Sequence, residues 1–409
     1  ASAILLAQAG WSVALIEKQG VARRKICGEC IAASNLPLLT ALGIDEDFLK
    51  LAGADLRQLA MMRGNRTVIA DLPADADPQL RWGRALAHET LDKLLLEQAR
   101  SSGAHILQPW SAQTIDGRPG DWRCGVRSRS TSARRTLTAA VTIAAHGSWE
   151  GLPAECLRRN QPQQAGDLLS FKATYDGASL ADGLLPILSF DGGYAGIVDG
   201  AGGISTLACC IRRDRLQAAR DAAPGQRTGD VVEALLSGEC GGVRLALRNA
   251  RRIGPWLAAG PLAPGIHLGR DDAPFRVGNA AGEAHPILGE GISMALQSAW
   301  LLCTALIEAG RPLRVPDGTA QRLLAMSYGA QWRQRFEPRL RRAAAFAHLA
   351  MRPAAAVPLV ALAGAWPGLT PQGAAWATGT REDSSPVAHR RTGGDRATAN
   401  GMRPHASAL

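Results

Sequence analysis

The chain has 409 residues, enough for two domains around sizeable cores, and 46% of them are hydrophobic, which excludes an intrinsically disordered protein. A formal charge of +10 and a pI near 9.6 rest almost entirely on Arg; these residues are spread along the chain and no nucleic-acid-binding signature accompanies them, so a nucleic-acid partner is excluded. The scattered cysteines show no disulfide framework and no signal peptide is recognisable, so a reducing cytoplasm is the expected location.

Ala1 to Ala9 is small and apolar, Gly10 stops it, and SVALIE follows as a buried strand closed by Glu17 and Lys18. This order matches a dinucleotide-binding βαβ unit, in which an acid at the strand end accepts hydrogen bonds from ribose hydroxyls. The GxGxxG turn that should precede the helix is not in the sequence, so Ala1 is expected to be a cut inside a longer protein that carries the first strand. RRKICGEC, Arg23 to Cys30, comes next, and its CxxC leaves three readings. Zinc would need two further ligands at suitable spacing, which the other cysteines and histidines do not provide, so no metal is expected. The cations Arg23, Arg24 and Lys25 would support a redox dithiol, but partly buried thiols beside a backbone contact are the expected reading.

Further along, RALAHETLDKLLLEQARSSGAHI predicts a helix with Leu91, Leu94 and Leu95 on one face, turning at Gly103 into a strand. Arg84 precedes the helix with a guanidinium suited to phosphate, and Ala112 is taken as a further cofactor contact. From about 165 to 260, LLSFKATY, LPILSF, GYAGIVDG and GISTLACCIRR are short apolar runs between Gly and Asp turns, predicting a sheet with Tyr194 lining its pocket or half-buried in its core.

Gly278 to Leu302, GNAAGEAHPILGEGISMALQSAWLL, joins a small-residue turn, a Pro-stiffened loop and an apolar helix. Gly278, Ala280, Ala281 and Gly282 allow close backbone approach to a cofactor, Pro286 stiffens the loop, and Gly289 and Gly291 free a row of amides where the helix from Ile292 begins. Such an N-terminus attracts electron-rich oxygens. Beyond it, Ala320 to Ala350 has helical spacing and an Arg-rich face including Arg333, Arg335, Arg339, Arg341 and Arg342, solvated or lying on a membrane surface. Ala354 to Leu369 is too short and Pro-broken to span a bilayer, and a polar tail is expected from 379 to 409.

The Gly278 stretch resembles the second flavin-binding motif, GDAAG then P then GEGI, of the FAD-dependent family containing aromatic hydroxylases, flavin halogenases and geranylgeranyl reductases, with Asn279 in place of the Asp. KICGE resembles the same family's KxCGE loop, where Cys27 and Gly28 run beside the flavin, and TIAAHGSW resembles its ADGxxS, with His146 in place of the Asp. Arg84 stands where the family places an Arg on the cofactor's phosphate or ribityl region, and His88 where many relatives carry another Arg. The resemblance covers roughly Ala1 to Thr370. It implies an α/β fold: a Rossmann-like FAD/NAD(P)-binding domain over 1–160 and 261–310, an inserted mixed β-sheet substrate domain over 161–260 and a helical C-terminal region over 311–378.

The implied activity is that of an FAD-dependent oxidoreductase with NAD(P)H as electron donor and a hydrophobic, aromatic or polyketide-like small molecule as substrate. Monooxygenation is the first expectation, double-bond reduction the alternative, and a non-catalytic remnant a third. GGYAGIVDG lacks the Trp and Phe-Pro of the reductases' YxWxFP, and no WxWxIP of the tryptophan-type halogenases is present. His285 beside Pro286 is the candidate proton carrier, with a structural loop His as the alternative.

Overall fold

The structure, a computed structural model, describes residues 1–72, 74, 81–148, 163–310 and 315–354. The apolar stretch after 354, the expected tail and Trp149 lie outside the described residues. The first helix, Ser2–Gln8, leads into strand Ala14–Ile16, which pairs in parallel with His105–Leu107. Parallel partners need a crossover, and helix His88–Ser101 lies in the connection between them. A second parallel pair, Ile143–Ala144 with Phe275–Arg276, brings two distant segments side by side. Helix Gly291–Ala309 packs between these parts: Ile292 and Leu296 join the core of Ile4, Leu39, Phe48 and Leu91, while Leu302 and Leu306 join that of Phe275 and Trp332. Its length and apolarity suit a membrane span, but its burial within the protein accounts for that composition.

The four middle segments form strands Leu168–Asp176, Leu184–Phe190, Gly193–Asp199 and Ile204–Arg212 of an eight-stranded sheet. The sheet also takes in Gln58–Arg63 and Arg66–Asp71, which the expected division places with the FAD-binding segment; Gln58–Arg63 runs parallel to Leu184–Phe190. One face directs Phe171, Ala173, Tyr175, Leu207, Cys209 and Ile211 into a core closed by Leu216, Val232 and Leu236 of the flanking helices. The opposite face directs Leu168, Tyr194 and Cys210 toward Ile287 and the C-terminal residues Ala347, Ala350 and Met351. Burial on both faces explains why these strands are apolar runs with little alternation.

Helix Gly318–Ala350 starts at Asp317, whose carboxylate accepts from the Thr319 and Ala320 amides at 3.0 and 2.8 Å. Trp332, Phe336, Leu340, Ala343 and Ala347 form its buried stripe. The Arg-rich face expected to be solvated is divided. Arg341 is exposed and pairs with Glu337, whereas Arg339 is largely buried and binds Glu290 and Gln297.

Candidate functional site

Strands Ile143–Ala144 and Phe275–Arg276 run in parallel, so the loops after both emerge together, the place where open α/β sheets bind ligands. Those loops carry His146 and Asn279. The Asn279 amide donates to Ser148 Oγ at 2.8 Å, and His146 Nδ1 lies 2.9 Å from its neighbour's Gly147 carbonyl oxygen. Gly278 adopts φ +60°, and its amide donates to Ser298 Oγ at 2.8 Å on the following helix.

Gly282 has a different role from the close cofactor approach expected of it. A Cβ there would stand 2.4 Å from the Trp332 ring, so the missing side chain makes room for the C-terminal helix. Ala280 and Ala281 are likewise buried, Ala281 in the core cluster of Trp332.

Pro286 opens a short 3-10 turn ending at Gly289, which adopts φ +67°. Helix Gly291–Ala309 then begins with no side-chain cap and no acid in its first turn, leaving its leading amides available. A Cβ on Gly289 would lie 3.7 Å from that of Cys30, so the GEG turn and the KICGEC loop abut. Nothing lies within 4 Å of a Cβ built on Gly28 or Gly291. Open backbone and unfilled donors are what a flat, oxygen-bearing ring system requires.

Sequence reasoning missed the anchor of the KICGEC loop. Glu29 is buried with φ +60°, a conformation uncommon for a residue with a side chain. Its carboxylate accepts from the Lys172 ammonium, from Thr206 Oγ1 at 2.6 Å and from the His88 amide at 3.2 Å. Lys172, only 1% exposed, also donates to the Lys25 carbonyl at 3.2 Å. The signal available in the sequence was a single Lys inside the apolar run LLSFKATY.

Glu17 follows strand Ala14–Ile16, and its Oε1 accepts from the Gln19 amide at 2.7 Å, which orients the carboxylate at the strand end with Lys18 beside it. Arg84 lies opposite Ile31 in a short antiparallel pair; its guanidinium meets Asp55 at 2.9 Å. Ala112 sits where the pairing of Trp110–Arg118 with Asp121–Ser128 shifts register. Cys27 accepts from the Glu29 amide at 3.4 Å. Among the described residues no cluster of potential metal ligands occurs.

His285 and Tyr194 are brought to one side of this region. His285 precedes the 3-10 turn, and Tyr194 shares a core cluster with Ile287 of that turn. Both are buried; His285 Nδ1 has no hydrogen-bond partner, and the Tyr194 hydroxyl neighbours the Cys210 thiol. Burial, and then His348 at 5.7 Å between ring centroids, lowers the His285 pKa to about 4. Burial and the neighbouring Cys210 hold the Tyr194 phenol well above its ordinary pKa.

Residues 1–174 match the FAD binding domain family. CmlS, a flavin-dependent halogenase, superposes with a TM-score of 0.70 over 96% of this chain and 67% of its own, at 17% identity. A geranylgeranyl bacteriochlorophyll reductase-like protein from Thermoplasma acidophilum superposes with a TM-score of 0.62 over 83% of this chain and 82% of its own, at 16% identity. The family match thus covers residues 1–174 of the 409, and the superpositions show a shared fold.

The KICGEC loop lies within the residues that match the FAD binding domain family, and the GEG turn that abuts it lies beyond them. A curated relative, Conditioned medium factor receptor 1 of Dictyostelium discoideum, is 26% identical over 333 residues, 74% of this chain. The chain spans 60% of the length of that relative.

Proposed function

We propose that this flavoprotein is a monooxygenase that hydroxylates a hydrophobic, aromatic or polyketide-like small molecule, with NAD(P)H as electron donor. The observation that supports hydroxylation is His285: a buried imidazole kept neutral at physiological pH, its Nδ1 without a partner, on the loop entering the uncapped helix. A neutral imidazole is a proton acceptor, which is what activation of a phenolic ring asks of the protein.

Bound FAD supplies the redox chemistry, transferring electrons from the donor to oxygen. In this proposal Glu17 and Lys18 hold the adenosine end, Arg84 and Ala112 flank the cofactor, and Asn279 orients the ribityl chain. Cys27 and Gly28 run beside the ring, Pro286 and Gly289 shape its loop, and the amides of Gly291 and Ile292 face its oxygens. The surrounding apolar cluster excludes water, and Tyr194 contributes to the substrate pocket wall.

Double-bond reduction is the second reading. The feature favouring it is Tyr194, whose phenol remains protonated and is therefore a donor. If the substrate is lipid-like, exposed Arg333 and Arg341 suit a peripheral contact with an anionic membrane. Heat denaturation of the purified protein is expected to release FAD. Oxygen consumption matched by hydroxylated product supports the first reading, while substrate reduction without oxygen would replace it with the second.

A further inference from the structure

Between the long C-terminal helix and the loop entering strand Phe275–Arg276 lies a cavity of about 350 Å³, within the range of small-molecule sites. Its lining shares no residue with the KICGEC loop, the Gly278 turn or the GEG turn. The strand is entered from the cavity's side and left at Gly278, so the loops bearing His146 and Asn279 lie at its other end.

Three guanidinium groups line this cavity. Arg276 is fixed: its Nη1 donates to the His267 carbonyl at 2.8 Å, and its own carbonyl accepts from the buried Tyr328 hydroxyl at 2.7 Å. A Cβ on Gly269 would lie 3.3 Å from Arg276 Nε, so the glycine makes room for the guanidinium. Arg333 stands one helical turn after Gly329 and lies back over it, with Nη1 3.6 Å from where a Cβ on Gly329 would be. It forms no hydrogen bond or ion pair among the described residues. Arg270 pairs with Asp272 at 3.1 Å, an exposed contact that solvent and salt weaken. Against these three cations the lining holds a single carboxylate, Asp271, while Pro274, Phe275 and Met326 give it an apolar wall.

We propose that this cavity is a second ligand site, separate from the cofactor region, that binds a small organic anion: a carboxylate carried on an apolar body. A planar guanidinium meets a carboxylate through two parallel hydrogen bonds, and Arg333 can do so without giving up another partner. The apolar wall covers the rest of the molecule, whose removal from water adds to the affinity. An electron donor does not suit the site, because it must reach the flavin ring and the lining includes none of the residues assigned to that ring. The site is independent of which flavin reaction the protein performs.

The test is calorimetric titration of the FAD-loaded protein with sodium octanoate, with acetate and octanol as probes carrying only the charge or only the chain. Octanoate is expected to bind with a Kd of about 1 mM or tighter, and at least about tenfold more tightly than either comparison probe. Arg333→Gln, at an exposed position, should weaken octanoate by at least about tenfold while leaving FAD affinity within about twofold. Thermal unfolding confirms that the variant folds. Absence of octanoate binding, or unchanged octanoate affinity in folded Arg333→Gln, would overturn the proposal. If Arg333→Gln does not fold, Met326→Trp at the cavity's exposed rim takes its place, and unchanged octanoate affinity there would do the same. An anion on an apolar body also occurs in a lipid, so co-sedimentation with phosphatidylglycerol vesicles separates the two sources. Capture by vesicles that depends on Arg333, without binding of free octanoate, would replace the small-molecule site with a membrane contact.

Discussion

Lys172, in the middle of the large sheet, forms a buried ion pair with Glu29 of the KICGEC loop. The pair links segments 143 residues apart and fixes the loop against the sheet, with Thr206 and the His88 amide filling the remaining acceptor positions. Removing one buried charge leaves the other uncompensated, which is far costlier than removing both. Lys172→Met is therefore expected to cost about 3–5 kcal/mol of unfolding free energy. Adding Glu29→Gln should recover a substantial part. Denaturant titrations of the two single variants and the double variant measure this, and a double variant no more stable than Lys172→Met would contradict the coupling.

Gly282 answers to Trp332. A methyl group placed 2.4 Å from a ring that is itself 1% exposed has no flexible neighbour to displace. Gly282→Ala should cost about 1–3 kcal/mol through overpacking. Thermal unfolding would show it as a lower Tm, and an unchanged Tm would mean that the C-terminal helix docks more loosely than its contacts indicate.

For Asn279, an Asp carboxylate would accept from Ser148 Oγ where the amide now donates, so the contact reverses direction without being lost. Asn279→Asp is expected to leave FAD affinity within roughly tenfold, about 1.4 kcal/mol. Flavin fluorescence titration reads this directly, and a much larger loss would show that the site is matched to a neutral side chain.

His285 gives the stability curve a defined acid limb. Its pKa falls from 6.5 to about 4 on folding, so between these values the unfolded chain binds a proton that the folded chain does not. The contribution vanishes above pH 6.5, grows as pH falls, and reaches about 3 kcal/mol of destabilisation below pH 4. His285→Gln should flatten this limb in urea titrations between pH 7 and 4. An unchanged slope would place the titration elsewhere.

What the sequence determined by itself was local: where helices begin, where glycines free the backbone, and which short apolar runs are strands. Gly289 with φ +67° and the uncapped helix start at Gly291 follow from neighbouring residues, because backbone conformation is largely a short-range property. The meeting of the GEG turn with the KICGEC loop required the family resemblance, since nothing local to either motif specifies the other. Only the tertiary structure decided the partners of side chains whose chemistry allows several. Arg339 has the same local appearance as the exposed Arg341, yet it is drawn inward by Glu290 and Gln297. Gly282 looks like a cofactor glycine until Trp332 arrives from a helix some 50 residues later. Residues 58–71 joined the large sheet because strand pairing depends on a free edge in space, and sequence distance does not set which edge that is. Lys172 was legible as an anomaly within an apolar strand, but its partner Glu29 was not, because burial of a charge is decided by whichever opposite charge the complete fold brings to it.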